Sequence, residues 1–167
     1  MASGFYQFSF GPAPDSAIDV RHSIDGVNWT AYVAPHWPPS PQGKGAVLSV
    51  KPNDTVGIWL KGPMNGSVSG WAPKGVQIIV ARAKSAKPGQ AFSPFAGKGV
   101  WQNPSGAMDS SSPNVWKTTL GPVTLNPGRG QSHKYEIVIA FTADLSTMGG
   151  SSDTFYAEDP ELEIEGI

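Results

Sequence analysis

The sequence predicts an all-β chain folded as a two-sheet antiparallel β-sandwich, Ig-like or cupredoxin-like, with seven to nine strands and long loops. Three observations carry this expectation. Apolar and β-branched runs of five to ten residues recur along the 167-residue chain, as strands do. Turn formers separate them: glycine (20) and proline (16) occupy 36 positions, well above their usual combined share of about 12%. No window sustains the i, i+3, i+4, i+7 spacing of an amphipathic helix. A lone sheet of this size would leave one apolar face wet, so a second layer must cover it.

The first strand is expected at 5–10 (FYQFSF). Strands at 17–24 and 27–33 flank Asp25-Gly26, a pair that favours a type I′ hairpin because both central residues of that turn need positive φ. Between strands at 46–51 and 55–62, Pro52-Asn53-Asp54 has the composition of a turn. The run at 76–84 (VQIIVARAK) is the most apolar and reads as a central strand buried on one or both faces. Short runs at 115–120 and 123–125 precede 134–143 (KYEIVIAFTA). There alternation puts Tyr135, Ile137, Ile139 and Phe141 on one face and Glu136, Val138 and Ala140 on the other. In the last strand, 161–167 (ELEIEGI), Glu161, Glu163 and Glu165 point one way and Leu162 and Ile164 the other. Helix is limited to a turn or two around 143–147.

Composition bounds the function. With 39% hydrophobic residues and a net charge of only −1, the chain buries enough to fold despite its glycine and proline. A single domain over residues 1–167 is expected. The absence of cysteine excludes disulfides, thiolate zinc, cysteine nucleophiles and thiolate copper. His22, His36 and His133 lie more than ten residues apart, which is no metal-ligand spacing, and no cofactor is expected. Charged residues make 15% of the chain with no basic stripe, so nucleic acid is not an expected partner. No stretch approaches the roughly 20 apolar residues of a membrane span. Residues 1–20 show no basic segment followed by an apolar run, so we expect no secretory signal and a cytoplasmic product.

Two features stand out as candidate sites. Loops at 34–45, 63–75 and 85–114 hold Trp37, Trp71 and Trp101 with Phe92 and Phe95, and the last loop runs 30 residues without periodicity. Loops that long are functional or hide a further element. Their rings could stack on sugars or anchor a protein, or could equally form the loops' own small core. The other feature is charge. Residues 153–167 hold six of the thirteen acids and no base, against twelve bases and seven acids before them. The Glu161, Glu163 and Glu165 ladder needs cations opposite, and Arg82, Lys84 or Lys117 would serve if their strands were neighbours. Such a strand could be an edge kept from pairing by charge, or a contact between copies. Asp153, Glu158 and Asp159 could instead hold a weak calcium ion.

Residues 47–62, VLSVKPNDTVGIWLKG, resemble the strand-turn-strand pattern V-x-P-G-D-T-V-x-W of cupredoxin-like sandwiches, with Asn53 in place of glycine and Trp59 one position late. That resemblance implies a fold without electron transfer, because the copper-ligating cysteine is missing. Asp54, Thr55, Val56 and Trp59, together with Phe155, Tyr156, Asp159 and Pro160, are similar to the PixA/AidA-type bacterial inclusion-body proteins. This second resemblance implies a cytoplasmic β-sandwich that accumulates or self-associates.

These observations support three functional expectations. The first is a non-enzymatic binding or self-assembly module acting through aromatic loops and sheet edges, its partner another copy of itself. The second is a lectin-like module that binds glycan through Trp37, Trp71 and Trp101. The third is a glycosidase-type enzyme with paired carboxylates among Asp109, Glu136, Asp144 and Glu158.

Overall fold

The computed structural model describes residues 3–12, 17–32, 47–64, 66–67, 70–84 and 86–167. Within them the chain forms β1 (Gly4–Ser9), β2 (Asp19–Ser23), β3 (Thr30–Ala31), β4 (Leu48–Val50), β5 (Val56–Lys61) and β6 (Pro73–Arg82). It continues through β7 (Val100–Gln102), β8 (Ala107–Asp109), β9 (Ser112–Leu120), β10 (Ser132–Ala143), β11 (Thr154–Glu158) and β12 (Glu161–Glu165). One 3-10 turn, Ser146–Met148, lies where a helical turn was expected.

These strands make the expected all-β sandwich of two sheets. Sheet A has the order β3-β2-β1-β5-β9-β8, and sheet B the order β4-β12-β10-β6-β7, with β11 also paired to β10. Pairing is antiparallel except for β1 with β5 and β4 with β12, which run parallel. Three strands, β7, β8 and β11, were not anticipated, and 123–125 is not a strand.

Local chemistry explains where the turns depart from expectation. Asp25 and Gly26 sit in a six-residue connection, 24–29, rather than a two-residue hairpin. The Asp25 carboxylate accepts the backbone N–H groups of Val27 and Asn28, both at 2.8 Å. Those bonds hold its pKa well below the usual carboxylate range and give the backbone an alternative to the ladder. At the next turn Asn53 adopts φ +73°, a conformation that suits glycine and that asparagine tolerates, while Asp54 accepts the Lys51 N–H at 2.8 Å. This turn carries the chain from β4 in sheet B to β5 in sheet A.

The core lies between the sheets. Tyr6, Phe8, Ile58 and Leu60 face Ile78, Ile137, Ile139, Leu162 and Ile164, all fully buried. Tyr6 joins the two layers: its hydroxyl donates to the Glu161 carbonyl and accepts the Leu48 N–H at 3.1 Å. The hydroxyl of Tyr32 accepts the Glu161 N–H at 3.1 Å. At one end Phe10 packs against Trp71, Phe141 and Tyr156, with centroids 4.6 to 5.2 Å apart.

Candidate functional site

The loop aromatics do not converge on one open platform. Trp71 is buried, edge-on to Phe10 at 4.8 Å and so close over Gly62 that a Cβ there would lie 2.2 Å from the indole. Phe95 is buried too, and Trp101 stands half-buried on β7, T-shaped against Phe95 at 5.6 Å. Trp71 and Phe95 are therefore core residues rather than binding surfaces, because apolar burial outweighs display on a loop. Phe92 remains exposed, its ring against Gly99. Trp37 and the 34–45 loop lie outside the described residues. The 85–114 stretch contains β7, β8 and the start of β9, so nine of its 30 positions are strand.

The acidic last strand is not a sheet edge. Its two neighbours are β10 and β4, and among the described residues the edges of sheet B fall on the three-residue strands β4 and β7 and on β11. Arg82 and Lys84 do not face the glutamates. Strand β10 separates β6 from β12, and Arg82 pairs in register with Tyr135, whose face is opposite to that of the ladder. The guanidinium of Arg82 reaches the Gln90 carbonyl at 3.4 Å, and Lys84 is exposed beyond the end of β6. Lys134 is the cation in register with Glu163, and Glu136 is the residue opposite Glu161. Burial raises the pKa of Glu161; Lys134 opposes the shift, and Glu136 and Glu163 add to it. Its Oε2 is buried with no hydrogen-bond partner among the described residues.

Nor do the remaining carboxylates gather. Among the described residues no three histidines, aspartates or glutamates form a metal-binding group. Asp153 and Glu158 flank β11 at opposite ends, about 17 Å apart for five extended steps, which separates the proposed calcium ligands. Asp109 is engaged by Lys117, the largest cause of its pKa falling to about 2. Asp144 accepts the Ser146 hydroxyl at 2.7 Å, and its pKa is lowered chiefly by that bond.

What the structure does bring together is a row on the outer face of sheet B. Val138 on β10 is in register with Ile79 on β6, and Ile79 with Val100 on β7. Ile79 is 38% and Val100 51% exposed. Next to this row Ala140 pairs with Ala157, and beyond it Thr142 pairs with Phe155, which is 64% exposed. Glu158 and Asp159 border Val138 and Ala157 in a shallow hollow of about 260 Å³. The pKa of Glu158 is raised by burial and then by the Asp159 charge. A polarity gradient thus runs along β10. Lys134 and Glu136, opposite Glu163 and Glu161, lie at one end, apolar residues fill the middle, and Thr142 faces Lys74 at the other.

A signal for this row was present in the sequence. Residues 137–141 of β10 are continuously apolar, and Ile78-Ile79 breaks the alternation of β6, so each strand carries apolar side chains on both faces. Among the described residues no helix is long and apolar enough to cross a membrane. Comparison with protein-family models and with curated proteins finds no match to this chain.

Proposed function

We propose that the chain is a non-enzymatic β-sandwich module that associates with its own copies through the outer face of sheet B. The observation that carries this reading is the apolar row of half-buried Val138 with exposed Ile79 and Val100 across three adjacent strands, extended by Ala157 and Phe155. Contiguous exposed apolar area of this kind favours association, because covering it removes apolar surface from water. Charge supports a second copy as the occupant. The face carries charges of both signs, Lys74 near one end of β10 and Glu136 and Glu161, with Lys134 and Glu163 beside them, near the other, so a second copy of this chain can present opposite charges to it.

Size-exclusion chromatography with light scattering, at low and high salt, tests the reading. The expected result is a dimer or larger species that Ile79→Lys converts to monomer and that added salt weakens. A wild-type chain that stays monomeric at every salt and protein concentration overturns it.

A further inference from the structure

We infer that the outer face of sheet A carries a saccharide-binding groove in which Trp29 supplies the stacking ring and Gln7, Ser9, Asp19, Arg21 and Lys61 supply the hydroxyl partners. The register builds it from two adjacent cross-strand rows. In one row Gln7 on β1 stands between Arg21 on β2 and Trp59 on β5. In the next, Ser9 stands between Asp19 and Lys61. Serine is short between two long neighbours, and the result is a depression of about 300 Å³ lined by those five polar side chains and Trp29. That volume is at the small end of ligand sites, as suits a short saccharide rather than a large cofactor.

Three observations point to a sugar. Trp29 is braced from behind: its ring leans on Trp59 at 5.1 Å, and Trp59 is held by Phe5 at 5.4 Å and by the Lys117 ammonium 3.7 Å from its ring centre. A ring fixed in this way loses little freedom when the apolar C–H face of a pyranose stacks on it. Gln7 is the second observation. It is only 8% exposed, so its position is fixed by its neighbours, and it lines the groove. An amide that reaches the groove both donates and accepts, and so does a ligand hydroxyl, which can therefore pair with it. The third is the mixture of charges at the rim. Asp19 and Arg21 pair at 2.7 Å, each about half exposed, and offer acceptor and donor side by side. A phosphate would find Arg21 already paired with Asp19 and only Lys61 beside it, and an apolar protein anchor would strand these groups, whereas a neutral pyranoside uses donor and acceptor together.

This site lies on the sheet opposite the proposed association face, so either proposal can fail alone. The test is to screen the labelled full chain on a glycan array containing neutral and uronic-acid sugars, then titrate the neutral pyranosides that bind by calorimetry. Removing the stacking ring or the groove amide, in Trp29→Ala or Gln7→Ala, is expected to weaken binding about tenfold or more. The exposed Asp19→Asn, which leaves the fold untouched, is expected to weaken it roughly fivefold, while Ile79→Thr on the other sheet stays within about twofold. Absence of any bound glycan, binding of acidic sugars alone, or unchanged affinity in Trp29→Ala and Asp19→Asn overturns the inference.

Discussion

The outer faces of the two sheets are built on the same alternation yet treat their aromatic and apolar side chains in opposite ways. On sheet A, Phe5, Trp59 and Trp29 pack on one another, and Lys117 lies over Trp59 while also pairing with Asp109. On sheet B, Ile79, Val100 and Phe155 are exposed, and among the described residues no ring packs on Phe155. Each strand of a sandwich turns every second residue outward, so both faces had to be filled with something. The difference teaches that an outward tryptophan does not by itself mark an interface. On sheet A the rings brace one another and leave Trp29 at the groove, whereas on sheet B the apolar side chains are left unmatched and available to a protein partner.

The strongest way to break this comparison is to remove the centre of the sheet A cluster. Trp59→Ala should destabilise the fold by about 3 kcal/mol, the lower end for a large aromatic because the ring is only half-buried. By contrast, Ile79→Thr should stay within about 0.5 kcal/mol, as a surface change does. Thermal unfolding of both variants under monomeric conditions measures the contrast, and equal losses would contradict it.

An intermediate effect is expected where the two sheets are joined. Tyr6→Phe keeps the buried ring but leaves the Leu48 N–H and the Glu161 carbonyl without their common partner. Urea unfolding should show a loss of about 2 kcal/mol, with the spectroscopic signatures of both faces disappearing together because one link holds both layers.

The smallest effect sharpens the account of the acidic end of sheet B. Burial raises the folded-state pKa of Glu161 above its unfolded value. Its contribution to stability is therefore present below the unfolded pKa and is lost as pH rises through the folded one. Glu161→Gln should accordingly be slightly more stable than wild type at neutral pH. Denaturation curves from pH 3 to 7 should show that advantage shrinking as pH falls; an advantage independent of pH would mean that the charge is not its source.

Much of the sandwich was legible before any coordinates. The alternation in 134–143 and 161–165 assigns inner and outer faces correctly, and the turn at 52–54 lies where its residues require. Strand β11 was missed because TFYAE is short and begins only after a run of glycine and serine. Strands β7 and β8 have three residues each, too few for a period to register against their glycine-rich surroundings. The Asp25-Gly26 signal was real as a turn but wrong in type, since a side-chain carboxylate competes for the backbone N–H groups that a tight hairpin would leave free.

For the candidate sites the residue types could be read but their company could not. Trp71 in a Pro/Gly/Ser-rich loop looks like a displayed ring, and only the approach of Gly62 and Phe10 makes it core. Likewise ELEIE announces a half-buried strand with three outward carboxylates, while Lys134 and Glu136 are brought alongside by a strand some 25 to 30 positions earlier in the chain.

The sequence by itself determined the class of fold and the direction in which each strand side chain points, because a period of two is a local property of an extended backbone. The tertiary structure alone decided which strands are neighbours, and hence that β12 is interior, that Ile79 joins Val100 and Val138, and that Gln7 stands between Arg21 and Trp59. Neighbour order is set by long-range pairing and by how two twisted sheets share one core. No stretch of ten residues carries that information.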